Sequence, residues 1–246
     1  LQPFPLRTAL LGLAAERTDT LALPAPFPAE RRAVVIEKRA DTRVRARAKE
    51  APRLAKRLAA FAAAVPGHVL ALAPSFAWVE ALRSELTPAG RIVLAQRSGD
   101  GAAERERLFA ALAARPEPPV LLLAVAGGVF GEGVEWPGTL SGVAVLGPCL
   151  PPPSLARELL RRRYEDRFGA EDGFTLAYAL PGMTRVIQGA GRLIRSERDR
   201  GVVALFDRRF LEEPWRSLLP ADWLGGGTAE DRVGDPARVS ARFFGT

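Results

Sequence analysis

The sequence predicts an α/β fold, a doubly wound and mostly parallel sheet with helices on both faces, and three observations predict it. Short apolar, β-rich runs alternate with longer amphipathic stretches along most of the chain. Residues 120–125 are apolar at every position, as a strand covered on both faces of a parallel sheet must be. The 246 residues, 48% hydrophobic and 26% charged, are enough to bury a sizeable core.

The elements follow in order. Residues 1–30, with Pro at 3, 5, 24, 26 and 28, read as a connector crossing a surface. Residues 33–37 form a short strand. An Ala- and Leu-rich amphipathic helix covers 47–64 and is ended by Pro66-Gly67. A strand at 68–73 leads to Ser75, an N-cap for a helix to residue 86. A strand at 91–95 precedes a helix at 102–114, closed by Pro116 and Pro118-Pro119. Strands at 120–125 and 140–146 precede a charged helix at 154–167. A helix at 182–194, a strand at 202–206 and a helix at 208–219 complete the pattern. The polar tail after Gly225-Gly226-Gly227 is expected to be loose. The corresponding division is a connector at 1–30, a main domain at 31–222 and a tail at 223–246. Ligands of such sheets bind outside the carboxyl ends of the strands, so the loops after Ala73, Val125 and Leu146 belong to the functional edge.

Composition excludes several classes. Cys149 is the only cysteine, so a disulfide framework, a structural zinc site and an iron–sulfur cluster within this chain lack ligands. The thiol itself reads as a small buried hydrophobe. His68 is the only histidine, which excludes His-rich metal sites. The longest strongly apolar run, 120–126, is far too short to span a bilayer, and no signal-like start is present, so no membrane partner is expected. A reducing, cytoplasmic setting is the expectation. The chain starts at Leu1 without Met, as a piece of a longer protein would. Its net charge of +7 is uneven: residues 31–57 hold eleven Lys/Arg against Glu37, Asp41 and Glu50. Such a segment is either a solvated face or a contact for nucleic-acid phosphates.

The strongest motif is Gln188-Gly-Ala-Gly-Arg192-Leu-Ile-Arg195. On a helix, Gln188, Arg192 and Arg195 would line one stripe. Paired guanidinium groups suit a γ-phosphate whose charge must be stabilised during transfer. Gly189 and Gly191 each cost a helix about 1 kcal/mol relative to Ala, which points to close approach by another backbone or a ligand. The alternative on residue type alone is a surface helix with solvated arginines. A second motif, Gly127-Gly128-Val-Phe-Gly131-Glu132-Gly133-Val-Glu135, follows a buried strand. It reads as a loop bringing N–H groups near a phosphate, or as a tight turn only. A third, Pro74-Ser75-Phe76, reads as a phosphate-binding helix N-terminus or a plain N-cap.

Gln188-x-x-Gly191-Arg192-x-x-Arg195 resembles the sixth helicase motif of superfamily 2. With Ser196-Glu197, Asp199-Arg-Gly201-Val-Val and Asp207-Arg-Arg-Phe210, it is similar in particular to the XPD/DinG (Rad3-like) DNA helicases. The resemblance runs over roughly residues 11–219 and implies the second, RecA-like motor domain of such an enzyme. It implies that Arg195 is the arginine finger, Arg192 its partner at the phosphates, and Gln188 a positioning residue beside Gly191. The glycine-rich loop resembles motif V, whose Glu132, Gly133 and Glu135 would meet nucleotide, and whose Gly127 and Gly128 would meet DNA. Glu135 departs from the family's usual Asp. Ser75 and Phe76 resemble motif IV and would hold the DNA backbone.

No Gly-x-x-x-x-Gly-Lys-Ser/Thr loop and no Asp-Glu-x-His box occur, and by the resemblance these belong to a first motor domain. ATP and Mg²⁺ are therefore expected in the complete enzyme, bound mainly by that domain, with none retained by this chain and no turnover by it alone. Single-stranded DNA and the first helicase domain are the expected partners, with 5′ to 3′ movement. The alternative is a non-catalytic nucleic-acid or protein interaction module that kept the RecA-like fold. A Rossmann-type nucleotide enzyme is disfavoured, because no Gly-x-Gly-x-x-Gly opens a helix after a first strand.

Overall fold

A computed structural model describes residues 4–23, 26–87, 90–131, 140–225 and 227–245. The helices are α1 (Phe4–Leu10), α2 (Arg47–Ala63), α3 (Phe76–Glu85), α4 (Ala102–Ala113), α5 (Leu155–Phe168), α6 (Ala170–Phe174), α7 (Leu180–Ala190), α8 (Ala221–Leu224) and α9 (Pro236–Phe244). The strands are β1 (Arg32–Glu37), β2 (His68–Ala73), β3 (Ile92–Ala95), β4 (Val120–Val125), β5 (Leu140–Val145) and β6 (Gly201–Phe206). They form one six-stranded sheet in the order β1-β6-β5-β2-β4-β3, and every pairing is parallel.

The alternation of side chains divides the core in two. Val69, Ala71 and Ala73 of β2 face α2, α3 and α9, with Leu54, Phe61, Trp78 and Val239. Leu70 and Leu72 face α4 and α7, with Leu108, Leu112, Met183 and Val186. The central strands are buried on both sides, which is why they read as continuous apolar runs.

Ser75 caps its helix as expected, and Ser154 does the same for α5. The Trp78 amide donates to Ser75 Oγ, and the Arg157 amide donates to Ser154 Oγ. Ser154 is thus the cap of α5 and not its first residue.

Three expectations are corrected. The helix expected over 182–194 begins at Leu180 and stops at Ala190. Arg192 and Leu193 then donate to Gly189 and Ala190, a tight turn with i−3 bonds. That turn buries Leu193 over Gly201, where even an added Cβ would lie 2.5 Å from its Cδ1. Gln188, Arg192 and Arg195 therefore do not share a helical stripe.

The helix expected over 208–219 is a 3₁₀ turn, Arg208–Leu211, followed by successive turns. Glu212 is extended, at φ −104° and ψ 148°, and Pro214 has no N–H to offer a continuing helix. The tail is packed, not loose. Gly234 donates to Ile36 O, Val233 pairs with Ile36, and α9 buries Pro236 and Ser240 while Val239, Phe243 and Phe244 join the core. The expected connector carries α1, and its Leu10 packs against the other core.

Candidate functional site

A cleft of about 910 Å³ opens at the carboxyl ends of β2, β4 and β5. Ser75, Phe76 and Gly127, from two of the predicted DNA-binding motifs, line it together. Phe76 is 36% exposed at the start of α3, and Phe174 is 38% exposed at the end of α6. Arg43, Arg161 and Arg185 line the cleft together with Glu158; Arg43 is ion-paired to Asp41 and Glu212, and Arg161 to Glu158 and Glu165.

Gly127 has a steric reason to be glycine. A Cβ there would stand 3.1 Å from Arg185 Cζ, so its absence lets the guanidinium lie against the loop. Gly128 lies beside Gln96, whose Oε1 accepts from the Val125 amide at 3.1 Å. Gln96 is thus a structural pin for the loop.

The other wall is a π-helical turn, Thr175–Ala179, set between α6 and α7. Such turns widen a helix and re-aim its side chains. Tyr178 here stacks on Phe174, with centroids 5.6 Å apart, and donates its hydroxyl to Glu158. That bond, followed by one from Arg161, holds the Glu158 carboxyl below its ordinary range.

The cleft floor is tied to the sheet by a buried network. Thr42 donates its amide and its hydroxyl to Asp207 Oδ2, at 2.8 and 2.5 Å. Arg209 donates Nε to Oδ1 and Nη2 to Oδ2 of Asp207, at 3.0 and 2.9 Å. Burial by itself would raise the Asp207 carboxyl, but the Arg209 and Thr42 bonds outweigh it and the group lies below its ordinary value. Gly147, at φ +95°, makes room for this network: a Cβ there would fall 2.0 Å from Thr42 Oγ1. Cys149 is buried, and burial pushes its thiol up to about 12, so it stays protonated and inert. Cys149 is buried as expected, whereas the Thr42–Asp207–Arg209 network escaped sequence reasoning. Its only signal was an acid followed by two arginines at the end of a buried strand.

The motif at 188–195 lies outside this cleft, where the chain passes from α7 into β6: Gly189 lies against Leu72 of β2, and Gly191 and Ile194 come down to the amino-terminal rim beside Arg32 at the start of β1. Gln188 is exposed on the last turn of α7, and Gly191 follows it. Arg192 is half-buried and directs Nη2 to Gly131 O at 3.4 Å, which joins it to the glycine-rich loop. Arg195 is exposed, and its backbone is fixed. Asp199 Oδ2 accepts from the amides of Arg195 and Ser196, each at 2.7 Å. Glu132, Gly133 and Glu135 lie outside the described residues. Among the described residues, the DNA candidates Ser75, Phe76 and Gly127 line the carboxyl-edge cleft, Gly128 lies beside it against Gln96, and the nucleotide candidates Gln188 and Gly191 lie at the end of α7, with Arg192 reaching Gly131 of the glycine-rich loop.

In the basic segment, Arg32 pairs with Asp222, Arg39 with Glu37, Arg43 with Asp41, Arg53 with Glu50, and Arg57 with Glu37 and Glu50. Five of its eleven cations are thus held in internal ion pairs.

A family model described as the helicase C-terminal domain matches residues 58–225. The probable ATP-dependent helicase of Methanocaldococcus jannaschii is 29% identical over 89% of this chain and 34% of its own length. The regulator of telomere elongation helicase 1 of Bos taurus is 32% identical over 60% of this chain and 13% of its own. The chain thus spans about a third or less of these relatives. A solved XPD helicase superposes with a TM-score of 0.65 at 23% identity, over 79% of this chain and 34% of that one.

Proposed function

Because the chain belongs to the helicase C-terminal domain family, with XPD-like helicases as its relatives, we propose that it is the second motor half of an ATP-dependent DNA helicase. The observation that carries this reading is the rim loop. Arg195 is exposed to solvent while its backbone is fixed by Asp199, and Arg192 lies beside it, bonded to Gly131. Two guanidinium groups held on a loop that has no phosphate cradle of its own fit a phosphate bound by another lobe.

ATP with Mg²⁺, bound mainly by the first motor domain, supplies the phosphoryl group whose transfer drives the cycle. Arg195 places its charge where negative charge develops on that group, and Arg192 assists from its partly buried position. Gln188 positions the pair from the end of α7. The carboxyl-edge cleft takes single-stranded DNA. The Ser75-capped start of α3 meets the backbone, Phe76 offers a face for a base, and the glycine-rich loop at Gly127 and Gly128, with Arg185 laid against Gly127, borders the same path. By the family resemblance, movement is 5′ to 3′.

The alternative, a non-catalytic interaction module, draws on the basic segment and on Glu135 in the altered glycine-rich motif; the ion pairs weaken the first of these supports. The purified chain is expected to bind labelled single-stranded DNA and to show no Mg²⁺-dependent ATP turnover. Robust turnover by the pure chain would overturn the division of the active site between two lobes.

A further inference from the structure

The loop at 191–200 is held from both faces of the sheet. On the α7 side, Leu193 is buried in the core over Gly201. On the opposite side, Arg200 lays its guanidinium over the Phe243 ring at 4.4 Å, with Phe244 at 5.7 Å, and donates Nη2 to the Phe243 carbonyl. The next residue back, Asp199, accepts the amides of Arg195 and Ser196. A short path of contacts therefore runs from the last turn of α9 through Arg200 and its neighbour Asp199 to the backbone of Arg195.

α9 is itself well anchored. Asp235 caps it through the Ala237 amide, Ser240 is fully buried, and Val233 pairs with Ile36 of β1. The helix lies beyond residues 58–225, the part that matches the family model.

We propose that α9, through the Phe243–Arg200 contact, is a positioning element that sets where the Arg195 guanidinium stands. Arg200 touches no reacting group; it acts through Asp199. A cation held over a ring face and bonded to a main-chain carbonyl fixes both the height and the direction of the loop. This inference rests on the reading of Arg195 as the residue that reaches the phosphate. An exposed loop carrying a catalytic cation needs such an outer hold, because a small displacement of a reacting group is costly in rate.

The test uses the full-length protein and compares Arg200→Gln, Arg200→Lys, Phe243→Leu and Arg195→Ala. Arg200→Gln is expected to lower DNA-stimulated kcat on the order of tenfold to a hundredfold. KM for ATP, the Kd of a non-hydrolysable ATP analogue and the melting temperature should stay at the parent values. Arg200→Lys, which keeps a cation over the ring, should restore most of the rate. Phe243→Leu should lose kcat as Arg200→Gln does, and Arg195→Ala should lose turnover altogether. If Arg195→Ala is inactive while Arg200→Gln matches the parent in kcat, the positioning role is wrong and the Arg195 reading stands. If Arg195→Ala turns over normally, the reading of Arg195 fails and the positioning role with it.

Discussion

Thr42 and Asp207, 165 residues apart, are joined by two hydrogen bonds to a single carboxylate oxygen. The pair closes the loop after β1 onto the end of β6 beneath the cleft. Asp207 has no exposed surface, and its other oxygen is taken by the backbone amide and Nε of Arg209. Asp207→Ala leaves the Arg209 guanidinium without its buried carboxylate and is expected to destabilise the fold by about 3–5 kcal/mol in urea unfolding. The pH dependence has a definite sign. The folded carboxyl lies below its unfolded value of roughly 3.9, so its stabilisation is complete above that pH and is lost as pH falls further. A D207A protein within 1 kcal/mol of the parent would show that the network contributes little.

His68 gives a second, separate pH effect. Its Nδ1 accepts from the Val120 amide at 2.9 Å, which requires the neutral ring, and burial lowers its pKa. The unfolded chain therefore binds a proton more readily than the folded one. Stability from this group is present above about pH 6.5 and is lost as pH falls below it toward the folded value. His68→Asn keeps an acceptor without the titration. It should flatten the stability profile between pH 5 and 6.5, read from urea midpoints; an unchanged slope would remove His68 from the account.

The strands were readable because burial on both faces leaves a run such as 120–125 nothing but apolar residues. The end of α7 was not, for a physical reason. Val186, Ala190 and Leu193 keep helical spacing and are all buried, yet Leu193 arrives by a tight turn after the helix has stopped. The seam of the motif is thus hidden in the periodicity that located it. α9 was masked by the glycine run before it, although Val239 and Phe243 are spaced i, i+4. Phe174 and Tyr178 share that spacing but fall between the predicted helices, and a π-helical turn carries Tyr178 to the cleft wall beside Phe174. Ser75, Phe76 and Gly127 were found by local pattern, whereas Arg43, Arg161 and Arg185 come to the cleft from three distant parts of the chain.

Phe76 offers the most direct check of the cleft. It is the exposed aromatic at the mouth of α3, and its removal opens no cavity in the core. Loss of one stacked base is worth about 1–3 kcal/mol. Phe76→Ala should therefore weaken single-stranded DNA binding about tenfold, on the same scale, in a fluorescence anisotropy titration at fixed salt, with the melting temperature unchanged. Equal affinity in parent and variant would move the DNA away from this cleft.

The measurement that bears most directly on the divided active site is DNA-stimulated ATP hydrolysis by the full-length protein carrying Arg195→Ala. The account predicts loss of turnover by about a thousandfold or more, the scale of an arginine finger, with ATP binding retained. Hydrolysis at the parent rate would contradict it, because the exposed guanidinium that Asp199 holds on the rim would then have no part in the chemistry.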